Sequence, residues 1–261
     1  MNDDNEHGSG KDTFASLKAI GETYAKGSPQ DQVIRGLIAR TFAPYLQSTM
    51  RGLQLGYAEG VDTALFAPLL QHLDVVEGNR VFFDAGCVDA LTNVKMHHDL
   101  FETFLPKAEK AYDAVFAVYV LEHVEDPVHL LQLARAALVE KGLLFIVVPN
   151  AYALSRQLAL HIGILPSLTD LTPRDIEHGH RRVYDRSALI NDIGSAGLYI
   201  VAQGGVMLKI LADFQLDQLL RLGILGEAQI DGLYALGHEY PELCGSLFAV
   251  CSAEPQEEKS L

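Results

Sequence analysis

The stretch YDAVFAVYVLEHVEDPVHLLQLARAALVEKGLLFIVVPN, Tyr112 to Asn150, holds a strand, a loop, a helix and a second strand in one run. YDAVFAVYV and GLLFIVVP are short apolar runs of the kind a doubly covered strand needs. Between them, Asp126 is a natural N-cap and Pro127 suits the first helical position. Leu130, Leu131, Ala134 and Leu138 then form one apolar face, and Gly142 stands where a C-terminal cap is expected. This predicts a helix over 127–140. A strand, a helix and a strand of the same hand read as one parallel crossover unit.

Outward from this unit the same alternation recurs. LQLG, LDVVEG and NVKMHH are further strand-like runs, with helical stretches expected near 62–72 and 79–90. The fold class that follows is α/β, an open, doubly wound and mostly parallel sheet. Upstream, Phe14, Leu17, Ile20 and Tyr24 recur at helical spacing. After the break GSPQD, Val33, Ile34, Leu37, Ile38, Phe42 and Leu46 form a second apolar face. Past residue 150 the pattern loosens into a helical insert, and strand-like runs return at LYIVAQ, VMLKI and GSLFAVCS. The expected organisation is a helical cap over 13–47 and an α/β domain over 48–253, with its insert at about 151–196. Residues 1–12 and 254–261 are polar and expected to be disordered.

Composition narrows the function. The 261 residues carry a net charge of −14, which argues against nucleic acid or an anionic membrane as the main partner. Cys87, Cys244 and Cys251 are odd in number and lack CxxC spacing, so reduced thiols, a cytoplasmic location and no zinc motif are expected. The polar start MNDDNEHGSGKD does not read as a signal peptide, and no apolar run approaches membrane-spanning length.

In such a sheet a ligand sits at the carboxyl ends of the strands, close to the first strand-to-helix turn. Gly56 and Gly60 bracket that turn in LQLGYAEG, with Tyr57 and Ala58 between them. Glu77 ends the second strand, where a carboxylate can accept from both hydroxyls of a ribose. Asp99 ends the third, within reach of an adenine amino group.

Together LQLGYAEG, VEGN, HHDLF, YDAVFAVYVLEHVEDP, KGLLFIVVPN and GHRRVYDRSALINDIGSAGLYI resemble the class I S-adenosylmethionine-dependent methyltransferases, especially the small-molecule branch. The resemblance runs over roughly residues 45–205, and YVLEHVEDP is its most specific part. It implies S-adenosylmethionine as cofactor, with Gly56, Tyr57, Ala58 and Gly60 along its methionine part. Glu77 and Gly78 would meet the ribose, Asp99 and Leu100 the adenine, and Val120, Leu121 and His123 the sulfonium region. Ala58 departs from the family, which usually has glycine there.

Methyl transfer from a sulfonium needs mainly alignment, worth roughly 7–11 kcal/mol, and a base only if the nucleophile must lose a proton. Tyr24, Tyr57 and Tyr119 are candidates to face the cation. His178 and His180, in DIEHGHRRVYD, are candidate acceptor-site bases, although a role bracing local backbone is the stronger expectation. No metal is expected, and His97 and His98 point to opposite sides of a strand. The expected reaction is methylation of oxygen or nitrogen on a small metabolite, sugar or natural-product intermediate. Other chemistry at the same sulfonium, such as aminopropyl transfer or cyclisation, is the alternative, followed by a catalytically silent partner subunit. A nicotinamide oxidoreductase is disfavoured by the absence of GxGxxG. Oligomeric state is left open.

Overall fold

The computed structural model describes residues 17, 27–86, 88 and 90–255. Cys87, Tyr24 and the proposed first helix apart from Leu17 lie outside the described residues, as do 1–12 and 256–261. Seven strands form one sheet: β1 (Arg51–Leu55), β2 (His72–Glu77), β3 (Val94–His98), β4 (Tyr112–Val118), β5 (Leu138–Pro149), β6 (Tyr199–Gly205) and β7 (Ser246–Ser252). Their order is β3-β2-β1-β4-β5-β7-β6, with β7 antiparallel to both its neighbours and the pairs from β3 through β5 all parallel. The expected doubly wound α/β fold is the one observed. The chain reverses its order of growth between β1 and β4, the point at which open sheets of this kind receive a ligand.

Ten helices of the described chain surround the sheet. They are α1 (Pro29–Phe42), α2 (Val61–Phe66), α3 (Arg80–Ala85), α4 (Phe101–Phe104), α5 (Pro127–Ala137), α6 (Leu154–His161), α7 (Pro173–Glu177), α8 (Arg186–Ser195), α9 (Asp213–Arg221) and α10 (Glu227–Glu239). Ile34, Leu37, Ile38 and Phe42 of α1 are buried against one face of the sheet, where Phe42, Phe66, Phe116 and Phe145 stack. The other face buries Leu130, Leu131 and Ala134 of α5 with Leu189 and Ile193 of α8. Helix α1 is further pinned by the Thr41–Tyr234 hydroxyl pair at 3.0 Å and by the Gln30 N–H on Asp217.

Three local expectations change. Helix α5 ends at Ala137, and Gly142 lies inside β5. The strand claims Leu138 because it pairs with Tyr112 across a register shift, and a side chain at Gly142 would crowd the Tyr112 and Val139 carbonyls at 3.0 Å. VMLKI forms no strand beyond an isolated bridge from Leu208 to Cys244. The segment between β6 and β7 is instead helical, in α9 and α10. Among the described residues no helix is long and apolar enough to cross a membrane.

The edge of the sheet holds a polar node. Asp74 of β2, 5% exposed, receives His97 Nε2 at 2.6 Å and the Tyr112 hydroxyl at 3.0 Å, with His72 Nε2 at 3.3 Å. Burial opposes its charge, but the bonds from His97 and Tyr112 and the charges of His72 and His97 outweigh it and leave the carboxyl below its ordinary range. A lowered folded pKa gives stability that is present above the unfolded value, about 3.9, and is lost as pH falls through the folded one. Asp74→Asn is therefore expected to cost about 1.5–3 kcal/mol at neutral pH. In urea denaturation at a series of pH values, the gap between the two proteins should narrow only in the acid range. A gap that ignores pH would show that the carboxylate's charge is irrelevant.

Candidate active site

The turn after β1 is built by backbone geometry. Gly56, Ala58 and Gly60 all have positive φ, at 82°, 48° and 76°. A side chain at Gly60 would collide with the Tyr57 hydroxyl, so only glycine fits there. At Gly56 an added Cβ would meet no atom of the described residues within 4 Å, so among them the backbone faces open space at the point where the sheet order reverses. Ala58 adopts the left-handed conformation despite its methyl group, at a cost of roughly 1–2 kcal/mol. Buried Gln54 braces the turn, donating to the Gly56 carbonyl at 2.7 Å and accepting from Thr63 at 2.9 Å. Tyr57 itself is 7% exposed and packs with the core, its hydroxyl lying against Gly60.

Glu77 ties this turn to the end of β2. Its Oε2 accepts from the Tyr57 and Ala58 N–H groups at 2.7 and 3.2 Å, and its Oε1 from the Asn79 N–H at 2.6 Å. Burial pushes the carboxyl up, and these three bonds pull it back. Three donors fill most of a carboxylate's roughly four acceptor positions, leaving about one for a ligand hydroxyl. Next to it, Leu17 packs 3.1 Å from where a Gly78 side chain would begin, with Leu100 at 3.2 Å, and Asn79 Nδ2 donates to the Leu17 carbonyl at 2.5 Å. Asp99 follows β3 and accepts from the Leu100 N–H at 2.9 Å and from Lys107 at 3.3 Å. The structure brings Gly56, Ala58, Glu77 and Gly78 together and sets Asp99 and Leu100 at the next strand end.

The loop after β4 opens on a strained residue. Tyr119 has a φ of 54°, its hydroxyl pairs with Ser246 Oγ at 2.7 Å, and Arg35 of α1 lies over its ring at 5.3 Å. The ring face proposed for a cation is therefore met by a guanidinium. Arg35 also bonds Asp31 at 2.9 Å and pairs closely with buried Asp62 at the start of α2. Burial works against the guanidinium's charge, yet Asp62 and Asp31 hold it firmly protonated. Burial likewise pushes the Asp62 carboxyl up while Arg35 pulls it down.

Val120 and Leu121 sit in the apolar cluster with Leu130 and Leu131, whereas the next two residues are polar, Glu122 buried and His123 half-buried. Glu122 is 1% exposed, and among the described residues its carboxylate oxygens have no hydrogen-bond partner beyond its own backbone N–H. Burial pushes it up to about 8. The His123 ring meets the His180 ring edge-on, with centroids 4.7 Å apart, and burial with His180 alongside pushes it down to about 3. His180 Nδ1 lies 3.5 Å from Asp175, whose carboxylate also closes the capping box with Thr172. His178 lies 6.2 Å from His180, ring to ring, and burial lowers both imidazoles.

The arginines that follow these histidines brace the loop after β4. Arg182 donates to the Leu121, Val124 and Glu125 carbonyls, at 2.8, 2.5 and 3.0 Å. Arg181 donates its N–H to the Glu122 carbonyl at 2.7 Å and its Nε to the His123 carbonyl at 3.1 Å. The insert thus clamps the loop after β4. Sequence reading missed Arg35, Gln54, Asp62 and Glu122 as members of this site. Glu122 stood in plain view beside His123, but its lack of a partner shows only in three dimensions.

Residues 28–203 match the family described as a methyltransferase domain. The chain belongs to that family. No curated protein matches the sequence of this methyltransferase. Among solved structures it is similar to the [4+2]-cyclase SpnF, at 15% identity and a TM-score of 0.57, over 87% of this chain and 83% of that one. It is similar to an S-adenosylmethionine-dependent methyltransferase from Archaeoglobus fulgidus, at 16% identity and 0.54, over 83% and 93%. A third, from Mesorhizobium loti, gives 14% and 0.54, over 82% and 94%. At these identities the likeness is one of fold.

The methyl donor of this methyltransferase is S-adenosylmethionine. The residues present fit it: open space beside Gly56, a carboxylate with acceptor capacity left at Glu77, and an acidic residue at the next strand end. Gly56, Ala58 and Gly60 would hold its methionine part, Glu77 its ribose, and Asp99 with Leu100 its adenine. When bound it supplies an electrophilic methyl group. The chain's own contribution is to hold the loop, orient the acceptor and keep water away.

Proposed function

We propose that this methyltransferase acts on an oxygen or nitrogen of a small molecule and works in the cytoplasm. The observation that supports this is the group of proton-accepting side chains at the carboxyl end of β4. Glu122, His123 and His180 offer donor atoms within 4.8 Å of one another, and His178 stands beside His180. Such groups serve an acceptor that must lose a proton, as a hydroxyl does. A net charge of −14 favours a small acceptor over nucleic acid. Buried, unbridged Cys244 and Cys251 fit a reducing compartment.

His178 is the proposed base. Arg181 and Arg182 brace the same loop, so loss of the His178 imidazole leaves those contacts in place. His178→Gln is expected to slow single turnover about a hundredfold at an unchanged melting temperature. A fallen melting temperature with the rate retained would return His178 to a bracing role. The reaction itself is tested by product analysis with panels of hydroxyl, amine and carbon acceptors. S-adenosylhomocysteine together with an O- or N-methylated product is expected. Methylthioadenosine, or methylation confined to carbon, would overturn the reading.

A further inference from the structure

We propose that Glu122, His123 and His180 form a binding site for a divalent transition-metal cation. The three side chains come from the loop after β4 and from the segment after α7, far apart in sequence. Their ligand atoms all lie within 4.8 Å of one another. Bonds of about 2.1 Å hold the ligands of one ion roughly 3–4 Å apart, so closure requires side-chain shifts of under about an ångström.

The chemistry of the cluster asks for a cation. A carboxylate buried to 1% exposure with no partner among the described residues beyond its own backbone is costly, and each structural group in that position needs a reason. Hydrogen-bond donors are close by, yet Arg182 and Arg181 spend themselves on backbone carbonyls of the same loop. The imidazoles are held from behind. Asp175 stands 3.5 Å from His180 Nδ1, and the His123 ring engages the Gly179 backbone. Partners of this kind orient a ligating ring and raise its basicity. Asp175 is itself fixed by Thr172 and Arg156, so the support is rigid.

Two imidazoles and one carboxylate suit zinc, manganese, iron(II) or cobalt, whereas magnesium and calcium prefer oxygen alone. Three protein ligands leave coordination positions open, as in sites where a metal meets substrate. An ion there would bind and orient an acceptor oxygen or nitrogen. That role rests on the proposed oxygen or nitrogen acceptor; ion binding does not.

The test uses the full chain freed of metal by a chelator and titrated with cobalt(II), then with zinc(II) and manganese(II). Saturable binding at a single site is expected, with cobalt d–d absorption showing nitrogen and oxygen ligation. Glu122→Gln and His180→Gln should each weaken it at least tenfold, with circular dichroism unchanged. Should one variant fail to fold, the other decides. No saturable binding by the wild type, or affinity indifferent to the folded variant, would overturn the site even if methyl transfer proceeds. Saturable, variant-sensitive binding with only carbon methylation would keep the site and overturn the acceptor assignment instead.

Discussion

Arg35→Ala is expected to cost about 3–5 kcal/mol of folding stability, the range for removing one partner of a buried ion pair. Asp62 is 5% exposed, and among the described residues its Oδ1 has no hydrogen-bond partner, so Arg35 is its main support there. Without the guanidinium, a charge at the start of α2 is stranded beside the core, and the Tyr119 ring loses the cation over its face. Chemical denaturation followed by circular dichroism measures the loss. The double variant Arg35→Met with Asp62→Leu should recover most of it, because the cost lies in the orphaned charge more than in the missing attraction. A loss below about 1 kcal/mol in the single variant would mean that Asp62 takes up a proton and tolerates its isolation.

Glu77→Ala is expected to weaken S-adenosylhomocysteine at least tenfold in calorimetric titration. Two effects add. The acceptor position left for a ribose hydroxyl disappears, at about 1.5–3 kcal/mol for a bond to a charged group. The Tyr57, Ala58 and Asn79 N–H groups also lose their common acceptor, so the turn at Gly56 to Gly60 is no longer held in its binding shape. Glu77→Gln separates the two, since an amide keeps one acceptor oxygen but not the charge. It should fall between the wild type and the alanine variant. Unchanged affinity in Glu77→Ala would remove the residue from the cofactor site.

The strands from β1 to β5 were legible because a parallel sheet covered on both faces needs continuous apolar runs, and LQL, LDVV and AVFAV are such runs. Asp126 and Pro127 marked the start of α5 equally well. Its end was misread, because nothing local distinguishes Leu138 as the last residue of a helix face from Leu138 as the first residue of a strand. The pairing with Tyr112 decides it. Helices α9 and α10 were missed although their apolar residues recur at helical spacing; they bury little of them, Leu216 and Tyr234 apart, and Phe214 stays exposed. The site divides along the same line. Gly56, Gly60 and Glu77 announce themselves by position at strand ends. Arg35 with Asp62, and Glu122 with His180, depend on contacts across long separations that no periodicity encodes.

The placement of β7 bears on how the polypeptide is made. It lies between β5 and β6, and among the described residues β6 has no other neighbour in the sheet. As the chain leaves the ribosome, β6 emerges before the strand it must pair with. Meanwhile β5 presents an open edge through the synthesis of everything from α6 to α10. An unpaired apolar edge kept waiting in this way invites intermolecular pairing. The nascent protein therefore passes through a window in which a chaperone has more to protect than in a sheet that grows by adding strands at its rim.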